Sequence, residues 1–292
     1  MPQSSLRLKT RIKTSKNISQ ITRAMEMVSA SKMRRAQQRA INGAPFSTEL
    51  ANVLLRLTSQ IDRSAHPLLQ QPISGREVFI LISTDRGLAG SLNTNIFTFT
   101  NRLLNKRGIT NPLFITVGKK ARDFVVRSGY ELLASFIDLP ARIKAEDLSA
   151  LNQLIISSYL QNDWLTVDVI YSDFISTLVQ KPKVINLLPF GTPEVPDMVE
   201  PLNNSNLVEY KFEPEANQIL DWLLPYYLEN RLYQIYLESL ASEHSARMVA
   251  MKNAREAAND LVQGLTLVYN QARQAKVTSE LLDAYAARIT LS

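Results

Sequence analysis

From Tyr226 to Ser292 the chain runs for 67 residues without a proline and with one glycine, Gly264. Ala, Leu, Glu, Arg and Gln dominate this stretch, and all of them favour helix. At 1.5 Å per residue a continuous helix here would be roughly 100 Å long. A helix of that length cannot be buried within its own small domain, so it requires a partner along its length. A stripe of mostly small residues marks one face: Ala250, Ala254, Ala257, Leu261, Gly264, Val268, Ala272 and Ala275. The alternating four and three spacings predict a coiled-coil seam. Leu228, Leu232 and Ile235 begin a similar face with larger side chains.

The other end of the chain matches it. Gln3 to Ala44 contains no proline and no glycine before Gly43, which predicts a second helix of roughly 60 Å. Ile18, Ile21, Met25 and Val28 are spaced as one apolar face, and Ser29, Ala30 and Ser31 keep the next turn slim. Pro45 predicts a kink or break, followed by a helix from Ser47 to about Ile61. The simplest arrangement pairs the terminal helices antiparallel, each covering the other's stripe, with the middle of the chain emerging as a side domain.

Charge is concentrated at the amino end. The whole chain carries +6, yet residues 1–40 hold ten Lys or Arg against the single acid Glu26. That element is therefore +9 and the remaining residues sum to −3, which points to an acidic partner for the first helix. Nucleic acid is the weaker reading, because no aromatic residue lies among the first 40 to stack on bases. There is no cysteine, so disulfides and thiolate metal sites are excluded, and two histidines exclude a histidine-rich centre. No stretch is apolar for the length needed to cross a bilayer, and the polar, basic start lacks the apolar core of a secretory signal.

The middle changes period. Short β-branched and aromatic runs at 78–83, 113–117, 165–171 and 184–188, with a fifth at 130–136, read as strands. Helical stretches fall at 93–106, 119–128 and 146–161, so the expectation is an α/β domain with a mostly parallel sheet. The turn Thr84-Asp85-Arg86-Gly87-Leu88-Ala89-Gly90 follows the first strand, where doubly wound folds hold phosphates. Its G-x-x-G spacing matches neither phosphate-binding fingerprint and no lysine follows, so a packing turn is the better reading. Asp85 and Asp173 come from separate strand ends, and no set of nucleophile, base and orienting group accompanies them. His66 precedes Pro67 and reads as structural, and the prolines and asparagines of 191–206 read as a connector.

Two stretches are more specific than any periodicity. Residues 18–36 (Ile-Ser-Gln-Ile-Thr-Arg-Ala-Met-Glu-Met-Val-Ser-Ala-Ser-Lys-Met-Arg-Arg-Ala) resemble the first helix of the gamma subunit of rotary F-type ATP synthases. Residues 237–276, from Leu-Glu-Ser-Leu-Ala-Ser-Glu-His to Asn-Gln-Ala-Arg-Gln-Ala-Lys, resemble its last helix. Ser83 to Asn93 and Val179 to Pro189 also resemble that family, in the same order.

The resemblance implies an antiparallel coiled coil of the terminal helices plus a Rossmann-like α/β middle domain. The expected division is 1–62, 63–206 and 207–292. It implies a non-catalytic rotor shaft that turns with a ring of c subunits inside a hexamer of alpha and beta subunits. A seat on the epsilon subunit is implied as well, with no cofactor, metal or nucleic acid bound. By the family's pattern Met25, Arg34, Arg35, Arg247, Gln274, Thr278 and Glu280 meet the hexamer, and Tyr210, Phe212 and Glu213 meet epsilon and the ring. Beta subunits of the family present an acidic loop, which suits the basic helix. The tail from Asp283 to Ser292 departs from the family's usual ending, and Lys276 stands where small residues are usual. The expected location is peripheral, on the cytoplasmic face of a bacterial plasma membrane.

Overall fold

The computed structural model describes residues 2–60, 66–70, 72–140, 142–161, 163–190 and 215–290. Two helices dominate it: α1 (Pro2–Gln60, 59 residues) and α5 (Ala216–Thr290, 75 residues). Between them lie β1 (Arg76–Ile82), α2 (Leu92–Arg107), β2 (Leu113–Val117), α3 (Lys119–Arg127) and β3 (Glu131–Phe136). Then follow α4 (Ser149–Leu160), β4 (Trp164–Phe174) and β5 (Gln180–Leu188). A 3₁₀ turn, Ala145–Leu148, opens the segment expected as one helix from 146. The chain divides into two compact units, one formed by Met1–Ala30 with Arg247–Ser292 and the other by Ser31–Ala246.

The larger unit contains a five-stranded sheet in the order β3-β2-β1-β4-β5. β1, β2, β3 and β4 are parallel and β5 runs antiparallel to β4. Each face has its own core, because successive side chains of a strand point to opposite faces. Val78, Ile80 and Ile82 of β1 join the cluster formed with Leu54 and Leu57 of α1, Ile155 of α4, and Leu224 and Leu228 of α5. Phe79 and Leu81 join the second cluster, with Ile96 and Leu104 of α2 and Val125 of α3. Covered on both sides, the central strands read as continuous apolar runs.

Pro45 does not break α1, which continues through it. The proline is on the exposed side, so the carbonyl of Ile41 that loses its donor can be served by water. Below the proline, α1 packs through Leu50, Leu54 and Leu57, and α1 and α5 approach closely above it. A Cβ at Gly43 would come within 2.3 Å of Gln234 Nε2, and Ser47 Oγ donates to Asn230 Oδ1 at 2.5 Å. As α1 advances from 43 to 47 its partner on α5 goes back from 234 to 230, so within this unit the two helices run antiparallel.

The smaller unit consists of the remaining lengths of the same helices, and they are antiparallel here too. Ser19 Oγ donates to Asn259 Oδ1 at 2.7 Å and Arg255 lies 3.2 Å from Glu26. Its packed faces differ from those expected. On α1 the covered residues are Ser15, Thr22 and Ser29, with Ser19 and Glu26 partly covered between them. Ile18, Ile21 and Val28 face outward instead, and Met25 is half-buried. On α5 the covered face is Met251, Ala258 and Leu265, with Ala254, Val262, Tyr269 and Ala272 partly covered. Leu261, Gly264, Val268 and Ala275 of the expected seam are exposed, and no atom lies within 4 Å of where a Cβ on Gly264 would sit. Both faces keep a seven-residue repeat, as a coiled coil requires. Small hydroxyl residues form one side of the seam because they allow close approach. Their polar groups need not be lost: Thr22 Oγ1 donates to the carbonyls of Ile18 and Ser19 on its own helix.

Candidate functional site

The turn after β1 is the place where an α/β fold of this kind would bind a phosphate, and the side chains of Ser83, Thr84, Asp85 and Asn93 there are engaged within the chain. The first amides of α3 are taken by the chain itself. Lys119 N donates to Asp85 Oδ1 at 3.0 Å, Lys120 N to the Thr84 carbonyl at 3.0 Å and Ala121 N to Ser83 Oγ at 2.6 Å. Asn93 Nδ2 donates to Thr84 Oγ1 at 2.9 Å, and that hydroxyl donates to the Arg86 carbonyl at 2.7 Å. Gly118 allows this closeness. Its φ of 100° is in the left-handed region, and a Cβ there would lie 2.3 Å from the Ser83 carbonyl oxygen. The turn joins two strand ends, its side chains and the first amides of α3 serving as packing contacts.

The histidine before Pro67 also has a structural role. His66 Nδ1 accepts from Leu68 N at 3.1 Å, and Nε2 is 3.5 Å from Asp221 Oδ1. Burial lowers its pKa, and the Asp221 carboxylate partly opposes that shift. The neutral form can cap the short 3₁₀ turn Pro67–Leu69, whereas the protonated ring has no acceptor at Nδ1.

The residues expected to meet partners are mostly outward-facing. Arg34 and Arg35 are exposed on α1 in the larger unit, and Arg35 Nη2 donates to Ser31 Oγ at 2.9 Å one turn back. In the smaller unit Gln274, Thr278 and Glu280 are exposed on α5. Thr278 Oγ1 donates to the Gln274 carbonyl at 3.0 Å, and Glu280 is 3.4 Å from Lys276. The charge that Lys276 adds is therefore paired within its own helix. Two residues depart from this exposure: only 8% of the surface of Arg247 is accessible, and Met25 is half-buried. Tyr210, Phe212 and Glu213 lie outside the described residues.

A second set of outward residues escaped the sequence reading as a surface. Ile18, Ile21, Met27 and Val28 on α1, and Leu261, Leu267, Val268, Leu281, Leu282 and Tyr285 on α5, are all large, apolar and exposed. Such a density of exposed apolar side chains on a two-helix unit marks an interaction surface. The missed signal was the repeat Ser15, Thr22, Ser29, which occupies the inner face and leaves the apolar residues no inner position.

The sequence profile of the ATP synthase family matches residues 4–288. The ATP synthase gamma chain of Pelotomaculum thermopropionicum is 41% identical over 274 residues, covering 94% of each chain. That of Methylacidiphilum infernorum is 37% identical over 290 residues, covering 97% of this chain and 98% of the relative. The chain belongs to the ATP synthase gamma-chain family. Among solved structures, the central stalk and c-ring assembly of the Tetrahymena thermophila mitochondrial ATP synthase contains a chain 25% identical to this one. That chain superposes with a TM-score of 0.61 over 80% of this chain and 99% of its own length. A chain of the Euglena gracilis mitochondrial ATP synthase shares the fold, with a TM-score of 0.67 over all of this chain and 95% of its own, at 17% identity. The long terminal helices and central α/β sheet are thus the architecture of this family. No helix among the described residues is long and apolar enough to cross a membrane.

Proposed function

We propose that the chain is the central rotor shaft of an F-type ATP synthase, coupling ion-driven rotation of a c-subunit ring to the conformational cycle of the alpha-beta hexamer. The observation that carries this reading is the smaller unit, where α1 packs through serine and threonine against a narrow face of α5 and many large apolar side chains of both helices are exposed. Two helices arranged in this way are completed by a sleeve of other subunits. Because the shaft is asymmetric, each surrounding subunit meets a different face at each angle. Contacts that favour one conformation over another shift that subunit's population. Rotation then drives binding, synthesis and release in turn, while bond chemistry stays with the hexamer and the shaft itself is non-catalytic and needs no cofactor.

In this reading Met25, Arg34, Arg35, Arg247, Gln274, Thr278 and Glu280 meet the hexamer. Arg34 and Arg35 serve as the positive face for an acidic loop of beta. Tyr210, Phe212 and Glu213 form the foot against epsilon and the ring, and 1–62, 63–206 and 207–292 act as coil, side domain and coil. The complex holds the chain peripherally on the cytoplasmic face of a bacterial plasma membrane. Charge reversal at both arginines (R34E with R35E) tests the coupling role. Assembly is expected to persist while ATP-driven ion pumping per ATP hydrolysed falls. Wild-type coupling in that double variant would remove the role given to these residues.

A further inference from the structure

Along most of its length in the larger unit α5 is held to the sheet by apolar side chains, including Leu224, Leu228, Leu232 and Ile235. Its last turns there are held differently. Ser239, Ser242 and Ser245 are buried, and Ser245 Oγ donates to the Thr177 carbonyl at 2.7 Å, beyond the end of β4. Tyr171, on β4 and 1% exposed, donates its hydroxyl to Glu238 Oε2 at 2.9 Å. Tyr171 is the cross-strand partner of Lys183 on β5. Four groups therefore face the Glu238 carboxylate: Tyr171 and Asp173 from β4, Lys183 from β5 and Arg231 from α5 itself.

We propose that Glu238 is a proton-controlled clamp that sets how firmly the last turns of α5 in the larger unit seat on β4 and β5, tighter when protonated. The geometry suits both protonation states. A carboxyl protonated on Oε1 still offers Oε2 as the acceptor for the tyrosine hydroxyl. The charged form has to be desolvated against the sheet and faces Asp173, a like charge, whereas Arg231 and Lys183 favour it. Burial outweighs these attractions, so the carboxyl is held above its ordinary range. The folded state then binds the proton more tightly than the unfolded chain does. The stability it contributes is present at low pH and is lost as pH rises through the raised value. The clamp acts a few residues before α5 passes into the smaller unit at Arg247. It therefore makes the grip of the sheet on this helix sensitive to acidification, whichever partners the chain has.

Amide hydrogen exchange of the full-length chain, corrected for the intrinsic effect of pH and followed over residues 232–245 between pH 5 and pH 8, tests this. In the wild type, protection should fall with rising pH, by about tenfold for each pH unit by which the carboxyl is raised. Glu238→Gln, which keeps a carbonyl acceptor and carries no charge, should show the same protection at both ends. Tyr171→Phe should move the transition to higher pH, because the lost hydroxyl favoured the charged form. A wild type whose protection does not depend on pH, or a Gln variant that keeps the full dependence, would overturn the proposal. So would a loss spread equally over β2. If the variants do not fold, ¹³C titration of the Glu238 carboxyl in the wild type decides. A midpoint above the ordinary carboxylate range supports the clamp, and one within that range overturns it.

Discussion

The same two helices build both units, and they are packed in opposite ways. In the larger unit α1 and α5 turn leucines inward, among them Leu54, Leu57, Leu224 and Leu228, all at most 1% exposed. In the smaller unit α1 turns serine and threonine inward against Met251, Ala258 and Leu265 of α5, while Ile18, Ile21, Val28, Leu261, Leu267 and Val268 stay outside. A protein that had to be stable only by itself would gain from inward leucines throughout. The difference indicates that the larger unit is stabilised by its own core, and that the smaller one is shaped for contact with something outside it.

Substitutions that exchange the two patterns should show the asymmetry. Leu228→Ala in the larger unit should cost about 2–5 kcal/mol of stability by urea unfolding of the isolated chain. Leu261→Ala in the smaller unit should stay within about 0.5 kcal/mol by the same measure. If the two effects were equal, the contrast would not exist. A smaller effect is expected from overfilling the thin seam. Ser29→Leu should destabilise by about 1–3 kcal/mol. Its exposed neighbour Val28→Ser should be close to neutral in the isolated chain.

Much of this architecture was legible in the sequence, because strand and helix periods survive wherever an apolar core imposes them. The strands at 113–117 and the helix at 119 are found where the pattern put them. The faces of the smaller unit were misread for a physical reason. Reading for apolar stripes assumes that apolar residues face inward, and here Ile18, Ile21 and Val28 face outward. Ser15, Thr22 and Ser29 carried the true repeat, but hydroxyl residues do not register as a core. Pro45 predicts a kink or break because the sequence does not show that the carbonyl it orphans is on the solvent side. The exposure of Arg34 and Arg35 follows from their place on that helix. The near burial of Arg247 does not, since a long basic side chain at a periodic position can lie on either face.

Two weaker effects sharpen the comparison further. Glu26 and Arg255 form a mostly covered ion pair across the seam of the smaller unit. Glu26→Gln should cost about 1 kcal/mol, and high salt should change that cost little because the contacting atoms are covered. In the larger unit His66 should give the smallest signal, a dependence on pH opposite in sign to that of Glu238. Its pKa is lowered in the folded chain, so the stability it contributes is present above the ordinary histidine value and is lost as pH falls through the lowered one. A His66→Gln variant should flatten that part of the stability profile in urea unfolding.

In the proposed function the thin coil, with its exposed apolar side chains, is completed by surrounding subunits. The most direct test is purification of the tagged full-length chain from its native membranes, with subunit composition read by native mass spectrometry. One copy of this chain with three alpha and three beta subunits is the expected composition. A chain recovered alone, or in complex with nucleic acid, would contradict it.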